Sequence, residues 1–289
     1  MSSETRVVTS RSGLRSGYAD LPPGVRRAVV LTMGALHSGH AHLIREARAR
    51  VGPEGHITVT VFVNPTQFAA GEDLVRYPRS LEDDVDLCAR EGADLVFAPS
   101  VDTVYRDPHP VVTLDPGPLG TLLEGAIRPG HFRGMLTVVF KLLTLTGADV
   151  TFFGEKDYQQ LVLVRRMARD LDLPVEVVAV PTVRDGDGLA LSSRNVYLTD
   201  VERRAALVVP RVLEMGASTA RDGGSARDVV SVVQSMLDEE THVITDYAVV
   251  TGPELGTPPE RGEARLLVAV RVGSTRLLDN TRLVLGGTA

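Results

Sequence analysis

Short, β-branched apolar runs alternate with stretches of helical periodicity through the first two thirds of this 289-residue chain, and that alternation restricts the fold more than any other feature. Residues 28–33, 56–63 ("HITVTVFV"), 94–100 ("DLVFAPS"), 149–156 ("DVTFFGEK") and 175–183 ("VEVVAVPTV") read as strands, rich in Val, Ile, Phe and Thr. Residues 40–50, 79–92, 134–147 and 157–171 read as helices set among them. Strands that are apolar on both faces have to be covered on both faces. The pattern therefore predicts a doubly wound parallel α/β sheet, with ligand sites outside the carboxyl ends of its strands. After "RDGDGLALSSRNVYLT" (184–199) the order changes to helical stretches near 200–215 and 226–239, split by a glycine break, and then to short runs of antiparallel strand character. The prediction is two domains: residues 1–182 for the parallel sheet, and residues 183–289 for a second, smaller α+β domain.

Composition narrows the partners. Thirty-one Lys and Arg against thirty-seven Asp and Glu leave a formal charge of −6. The chain thus carries no general basic field for nucleic acid or an anionic membrane, and any polyanion site has to be built locally. No apolar run approaches the roughly 20 residues that span a bilayer, and the N-terminal "MSSETRVVTSRSGLRSG" lacks the apolar core of a secretory signal. The expectation is a cytoplasmic protein with no nucleic-acid or membrane partner. Helical spacing puts the single cysteine, Cys88, near an apolar stripe with Leu81, Val85 and Leu95, which predicts a buried structural thiol.

The stretch "LTMGALHSGHAHLIREARAR" (31–50) places His37, His40 and His42 within six residues, between a glycine turn and an amphipathic helical pattern. Small residues there let backbone amides approach a ligand, and a helix N-terminus offers unpaired N–H groups with about half a positive charge. His37 and His40, three residues apart, fall near that terminus, where imidazoles would donate to phosphate oxygens as charge develops. Two other readings stay open on the residues alone. Zinc would need further ligands, and neither an HExxH pattern nor a cysteine pair is present. The third reading is solvated surface histidines.

"HSGH" resembles the HxGH signature of the adenylate-forming nucleotidylyltransferase superfamily. Together with it, "TMGALHSGH", "VFVNPTQF", "YPRSLEDD", "HFRGMLTVVFKLL", "FFGEKDYQQLVLVRR" and "LSSRNVYL" stand in the order and approximate spacing of the pantothenate synthetase (pantoate–β-alanine ligase) family. The resemblance runs from about residue 28 to 200. It implies a Rossmann-like ATP- and pantoate-binding domain and a C-terminal domain carrying a KMSKS-like loop. It also implies an ATP-dependent condensation of pantoate with β-alanine through a pantoyl adenylate, releasing pyrophosphate and then AMP. Mg²⁺ is implied by ATP, with no protein ligand to be named for it, and a homodimer is expected.

By the same resemblance, Met33, Gly34, Ala35, Leu36, His37, Ser38, Gly39 and His40 form the nucleotide loop. His37 and His40 are on the phosphates, with His40 the proton donor; His42 has no counterpart role and reads as surface. Gln67 would bind pantoate and border the β-alanine site, and Asn64 would shape that pocket. Gly154, Glu155, Lys156 and Asp157 would hold ATP, with Lys156 at the phosphates and Asp157 on the ribose side, while Gln160 would hold pantoate. Leu191, Ser192, Ser193 and Arg194 match the KMSKS-like loop that grips the triphosphate, and Val183 would meet adenine through its backbone. His37, His40, Lys156 and Arg194 form the implied catalytic set. Leu31 stands where the family usually has proline, and Leu191 where it often has methionine.

Without the resemblance, Asn64-Pro65 is a turn pair, Glu155 to Asp157 a solvated helix start, and "LSSRN" a serine-rich turn. The nearest rival function is a nucleotidylyltransferase that stops at an adenylylated product. A silent nucleotide-binding regulator would be expected to lack one of His37, His40, Lys156 or Arg194, and all four are present. Residues 69–78 ("AAGEDLVRYP"), short of apolar anchors, are expected to form a mobile wall that orders over the intermediate.

Overall fold

The apolar runs pair as parallel strands. In the computed structural model, which describes residues 5–68, 74–107 and 110–287, the first two thirds of the chain run β1 (Arg6–Val8), α1 (Arg11–Ala19), β2 (Arg27–Thr32), α2 (Ser38–Val51), β3 (His56–Val61), α3 (Leu81–Arg90) and β4 (Leu95–Phe97). Then follow α4 (Val101–Val104), α5 (Glu124–Ile127), α6 (His131–Thr146), β5 (Val150–Gly154), α7 (Tyr158–Asp170) and β6 (Glu176–Val180). The sheet order is β1-β4-β3-β2-β5-β6, parallel throughout. From β2 the chain winds outward through β3 to β4, then returns to lay β5 and β6 on the other side, so the winding reverses between β2 and β5. This Rossmann-like reversal is where an open α/β sheet forms a crevice. The pairing shows it directly: β2 and β5 are in register only at Ala28↔Val150 and Val29↔Thr151, although both strands run three residues further.

The core follows from the same pattern. Ile44 and Ala47 of α2 pack with Ala28, Val30, Ile57, Val59, Val150 and Phe152 of the strands, and Cys88 of α3 joins them. Burial pushes the Cys88 thiol up to about 12, with Asp84 adding to the shift, which makes it an inert packing group. The strand β1 and helix α1 escape the periodicity argument. β1 is three residues long with Arg6 and Val7 exposed, and "RSGLRSGYA" has two glycines that weaken it as a helix. Helix α1 begins at a Ser10 cap, whose hydroxyl accepts the Gly13 N–H (3.0 Å), and buries Leu14.

The chain divides into two compact units: Met1–Gly154 with Leu163–Val180, and Glu155–Val162 with Pro181–Ala289. In the second, α8 (Asp200–Ala206), α9 (Val208–Arg221) and α10 (Ala226–Asp238) precede an antiparallel sheet of β7 (Val243–Thr251), β8 (Gly262–Val272) and β9 (Thr275–Leu285) in the order β7-β8-β9. Val209, Val212, Val229 and Val233 of the helices pack with Leu266, Val268 and Val270 of the sheet. The sequence places a division after residue 182; the units part between Val180 and Pro181, and the short segment 155–162 groups with the second. Among the described residues no helix is long and apolar enough to cross a membrane.

Candidate active site

β2 ends at Thr32, whose hydroxyl donates to the Thr60 carbonyl of β3 (2.6 Å) and accepts the Gly34 N–H (3.2 Å). The chain then turns through two residues of positive φ, Gly34 at 84° and Ala35 at 51°, the second in a region that costs a residue with a Cβ free energy. Asp84, in the first turn of α3, holds the turn: Oδ2 accepts the Ala35 N–H (3.1 Å) and Oδ1 the Leu36 N–H (2.7 Å). A Cβ on Gly34 would lie 2.9 Å from Asp84 Oδ2, so glycine serves both the backbone angle and the carboxylate's approach. Asp84 is 1% exposed. Burial pushes its carboxyl up, and the amides of Leu36 and Ala35 act against that.

This turn delivers His37 as the N-cap of α2. His37 Nδ1 accepts the Gly39 N–H (3.1 Å), and His40 Nδ1 accepts the His37 N–H (3.2 Å), a reciprocal capping box made of two imidazoles. The ring centroids are 4.2 Å apart. With Nδ1 accepting in both rings, the proton of each neutral imidazole belongs on Nε2. Two N–H donors are thereby set at a helix N-terminus that has no acidic residue in its first turn. His42 is partly exposed, with Nε2 3.9 Å from Glu46.

Beyond β3, Asn64 caps the short turn Pro65–Gln67. Its Oδ1 accepts from the Tyr105 hydroxyl (2.8 Å), the Thr66 hydroxyl (3.0 Å) and the Thr66 N–H (3.3 Å), and its Nδ2 donates to Gln67 Oε1 (3.0 Å) and the Gly134 carbonyl (3.2 Å). Asn64 is 1% exposed and its amide is fully engaged, so it acts as the holder of Gln67. Gln67 Nε2 in turn reaches Met33 Sδ (3.0 Å), joining this turn to the histidine loop. The Gln67 carbonyl accepts from His131 Nδ1 (2.9 Å), which leaves His131 Nε2 to accept from Arg128 Nη1 (3.3 Å). Helix α6 approaches closely: a Cβ on Gly134 would lie 2.1 Å from the Thr66 carbonyl oxygen.

Within the second unit, Glu155–Asp157 make one 3₁₀ turn before α7. Lys156 Nζ is 3.8 Å from Asp157 Oδ2, Asp157 is exposed and Gln160 half-buried. Arg265 of β8 donates to Glu155 Oε2 (2.7 Å) and Asn280 Oδ1 (2.7 Å), with its guanidinium 4.2 Å over the Tyr158 ring. Asn280 Nδ2 donates to the carbonyls of Glu155 (2.9 Å) and Lys156 (2.8 Å). These bonds tie the turn before α7 to the antiparallel sheet of its unit. Val183 accepts the Leu191 N–H (3.0 Å), and Ser192 caps the turn Ser193–Tyr197 by accepting the Arg194 N–H (3.3 Å).

The first unit thus brings together Met33 to His40, Asn64 and Gln67, with Gly154 ending β5; the second joins Val183 to Leu191–Arg194 and holds Glu155–Asp157 on its sheet. Residues 69–73 of the expected mobile wall lie outside the described residues. The sequence reading did not single out Asp84, Tyr105, Gly134, Arg265 or Asn280. Asp84 and Gly134 lie inside the motifs "YPRSLEDD" and "HFRGMLTVVFKLL", but Asp84 binds an amide 49 residues away, and no local pattern encodes that contact. Among the described residues, no group of three or more His, Cys, Asp or Glu side chains converges as a metal ion requires.

The family model for pantoate-beta-alanine ligase matches residues 6–282. The chain is 54% identical over 259 residues to pantothenate synthetase 4 of Frankia alni, covering 90% of this chain and 83% of that one. Its structure is similar to that of pantothenate synthetase from Thermus thermophilus, with a TM-score of 0.89, 45% identity, and 96% of this chain and 99% of that one covered. It is also similar to pantoate-beta-alanine ligase from Francisella tularensis complexed with beta-gamma ATP and beta-alanine, with a TM-score of 0.79, 31% identity, and 99% of each chain covered.

Proposed function

This chain belongs to the pantoate–β-alanine ligase family, and on that premise we propose that it works in two steps through an enzyme-bound pantoyl adenylate. A pantoate carboxylate oxygen attacks the α-phosphorus of ATP and pyrophosphate leaves. The β-alanine amine then attacks the activated acyl carbon and AMP departs. No covalent bond to the protein is needed, so catalysis consists of positioning and charge stabilisation.

The single observation that carries this reading is the imidazole capping box. His37 and His40 each present an Nε2–H at the N-terminus of α2, at the carboxyl end of β2 beside the winding reversal. Donors fixed by their own capping bonds stabilise charge developing on phosphate oxygens without reorganising; His40 is the proton donor. Gln67, held by Asn64, offers amide donor and acceptor groups to the hydroxyls and carboxylate of pantoate, and Gln160 is its second contact. Lys156 follows the departing pyrophosphate as a compact charge, while Ser192, Ser193 and Arg194 grip the triphosphate. Gly154, Glu155 and Asp157 line the nucleotide, and Val183 meets adenine through its backbone. Mg²⁺ enters with ATP, and no step is assigned to it. The ATP ligand and β-alanine held by the Francisella tularensis relative support the choice of substrates.

The test is to incubate the protein with ATP, Mg²⁺, pantoate and β-alanine, omit each in turn and identify products. Pantothenate and free AMP should appear together, and only when β-alanine is present. An adenylylated product that accumulates with no amine-dependent AMP would assign the chain to the rival nucleotidylyltransferase chemistry. The reading includes a homodimer, which light scattering would report as twice the 31.1 kDa chain mass.

A further inference from the structure

We propose that Asp279 and Asn280, adjacent on β9, form a positioning centre that sets both the Lys156 turn and the loop ending in Ser192, Ser193 and Arg194; the proposal rests on the phosphate roles assigned above. Successive strand residues point to opposite faces of a sheet, yet both are buried, at 3% and 4% exposure. Each is polar where an apolar residue would pack without desolvation cost.

Asn280 directs its whole amide at one turn. Nδ2 donates to two successive carbonyls, Glu155 (2.9 Å) and Lys156 (2.8 Å). Those oxygens belong to the two rigid peptide planes on either side of the Lys156 α-carbon, so holding both fixes the two soft backbone angles of Lys156 and the direction in which its side chain leaves. Oδ1 accepts from Arg265 Nε (2.7 Å), whose Nη2 binds Glu155 (2.7 Å), tying the same turn a third time.

Asp279 works on the other loop. Its carboxylate takes Arg184 through both terminal nitrogens, at 2.5 and 3.2 Å, and Oδ1 also accepts the Asn280 N–H (2.8 Å). Arg184 Nη1 donates onward to the Gly188 carbonyl (3.1 Å), and Arg184 pairs with Ala190 in an antiparallel bridge. The base of the loop from which Leu191 to Arg194 emerge is therefore anchored on the neighbour of the residue that anchors Lys156.

Pantothenate formation in Asn280→Ala, Lys156→Ala and the double variant tests the first half, with melting curves to check folding. Asn280→Ala should lower kcat roughly 10- to 100-fold, the scale of misplacing one reacting group, while the KM for pantoate stays close to parental. In the Lys156→Ala background the same substitution should cost less than about threefold, since its target is gone. If Asn280→Ala does not fold, Asn280→Asp, which keeps the shape and loses both donors, takes its place. A parental kcat, or an equal loss in both backgrounds, overturns the positioning role alone. A parental rate in Lys156→Ala overturns the role of Lys156 and the proposal with it. For the second half, Asp279→Asn should raise the KM for ATP; an unchanged KM removes Arg184 and its loop from the proposal.

Discussion

The two units hold their candidate groups by opposite means. In the first, backbone and topology do the work: a strand end, two positive-φ residues and a helix cap place His37 and His40, and the buried carboxylate that steadies the turn accepts from two main-chain amides. In the second, buried side chains do it: Arg265, Asp279 and Asn280 reach from an antiparallel sheet to grip segments whose regular structure is two 3₁₀ turns and one bridge. A helix N-terminus is already an anion site, so the first unit has only to orient its donors. The lysine turn also leads into a helix, α7, but its cation sits at the tip of a long flexible side chain, so the backbone that aims it is set by an external scaffold. The histidine site should consequently be sensitive to loss of the donors themselves, and the lysine site to changes in charge shape and support.

The sharpest break would come from His40→Ala. It should lower the adenylation rate by roughly 10² to 10³, the usual scale for one preorganised donor, with a much smaller effect on ATP binding; near-parental turnover would return the cluster to surface residues. Next is Lys156→Arg. A planar guanidinium demands a wider, fixed fork than an ammonium, and here the backbone on both sides of residue 156 is clamped. Pyrophosphate exchange should fall by about tenfold or more while ATP binding stays measurable. An unaffected rate would mean that any cation serves.

Smaller effects sharpen the contrast. Gly134→Ala places a Cβ 2.1 Å from the Thr66 carbonyl oxygen and 2.7 Å from the Gln67 nitrogen. It should cost about 1–3 kcal/mol as overpacking does and raise the KM for pantoate by moving Gln67; a variant that melts like the parent with parental KM would show that α6 yields freely. At the amino end of β3, His56 is buried beside Tyr18, and its Nε2 has no hydrogen-bond partner among the described residues. Burial pushes its pKa below the usual 6.5, Asp94 opposing and Arg48 and Arg27 adding. The fold therefore favours the neutral ring. Stability should be full above pH 6.5 and decline as pH falls from there through the folded value, because the unfolded chain binds the proton first. His56→Phe should flatten that decline in urea titrations between pH 7 and 5, and an identical slope would assign it to other groups. Least of all, Lys141→Arg should change stability by under about 0.5 kcal/mol, since a guanidinium keeps the cation–π contact that Lys141 makes 5.5 Å from the Tyr105 ring centre.

Legibility in the sequence follows the range of the contacts. Strands β2 to β6 are readable because each is a local apolar run, and their doubly wound order follows from the alternation; β1 and α1 are not, being a three-residue edge and a glycine-broken helix. The histidine pair is readable because its spacing and the glycine turn lie within the seven residues from Gly34 to His40. Asp84 and the Asn280–Lys156 contact are not, because the partners stand 49 and 124 residues apart and only the folded sheets bring them together. The family motifs point to the lysine turn and to the serine loop, but say nothing of the strand that supports them.

The most direct test of the central claim is exchange of labelled pyrophosphate into ATP, with pantoate present and β-alanine absent. Two-step chemistry predicts that label enters ATP at a rate that depends on pantoate and falls in His40→Ala. Exchange that requires β-alanine, or none in a protein that makes pantothenate, would contradict it.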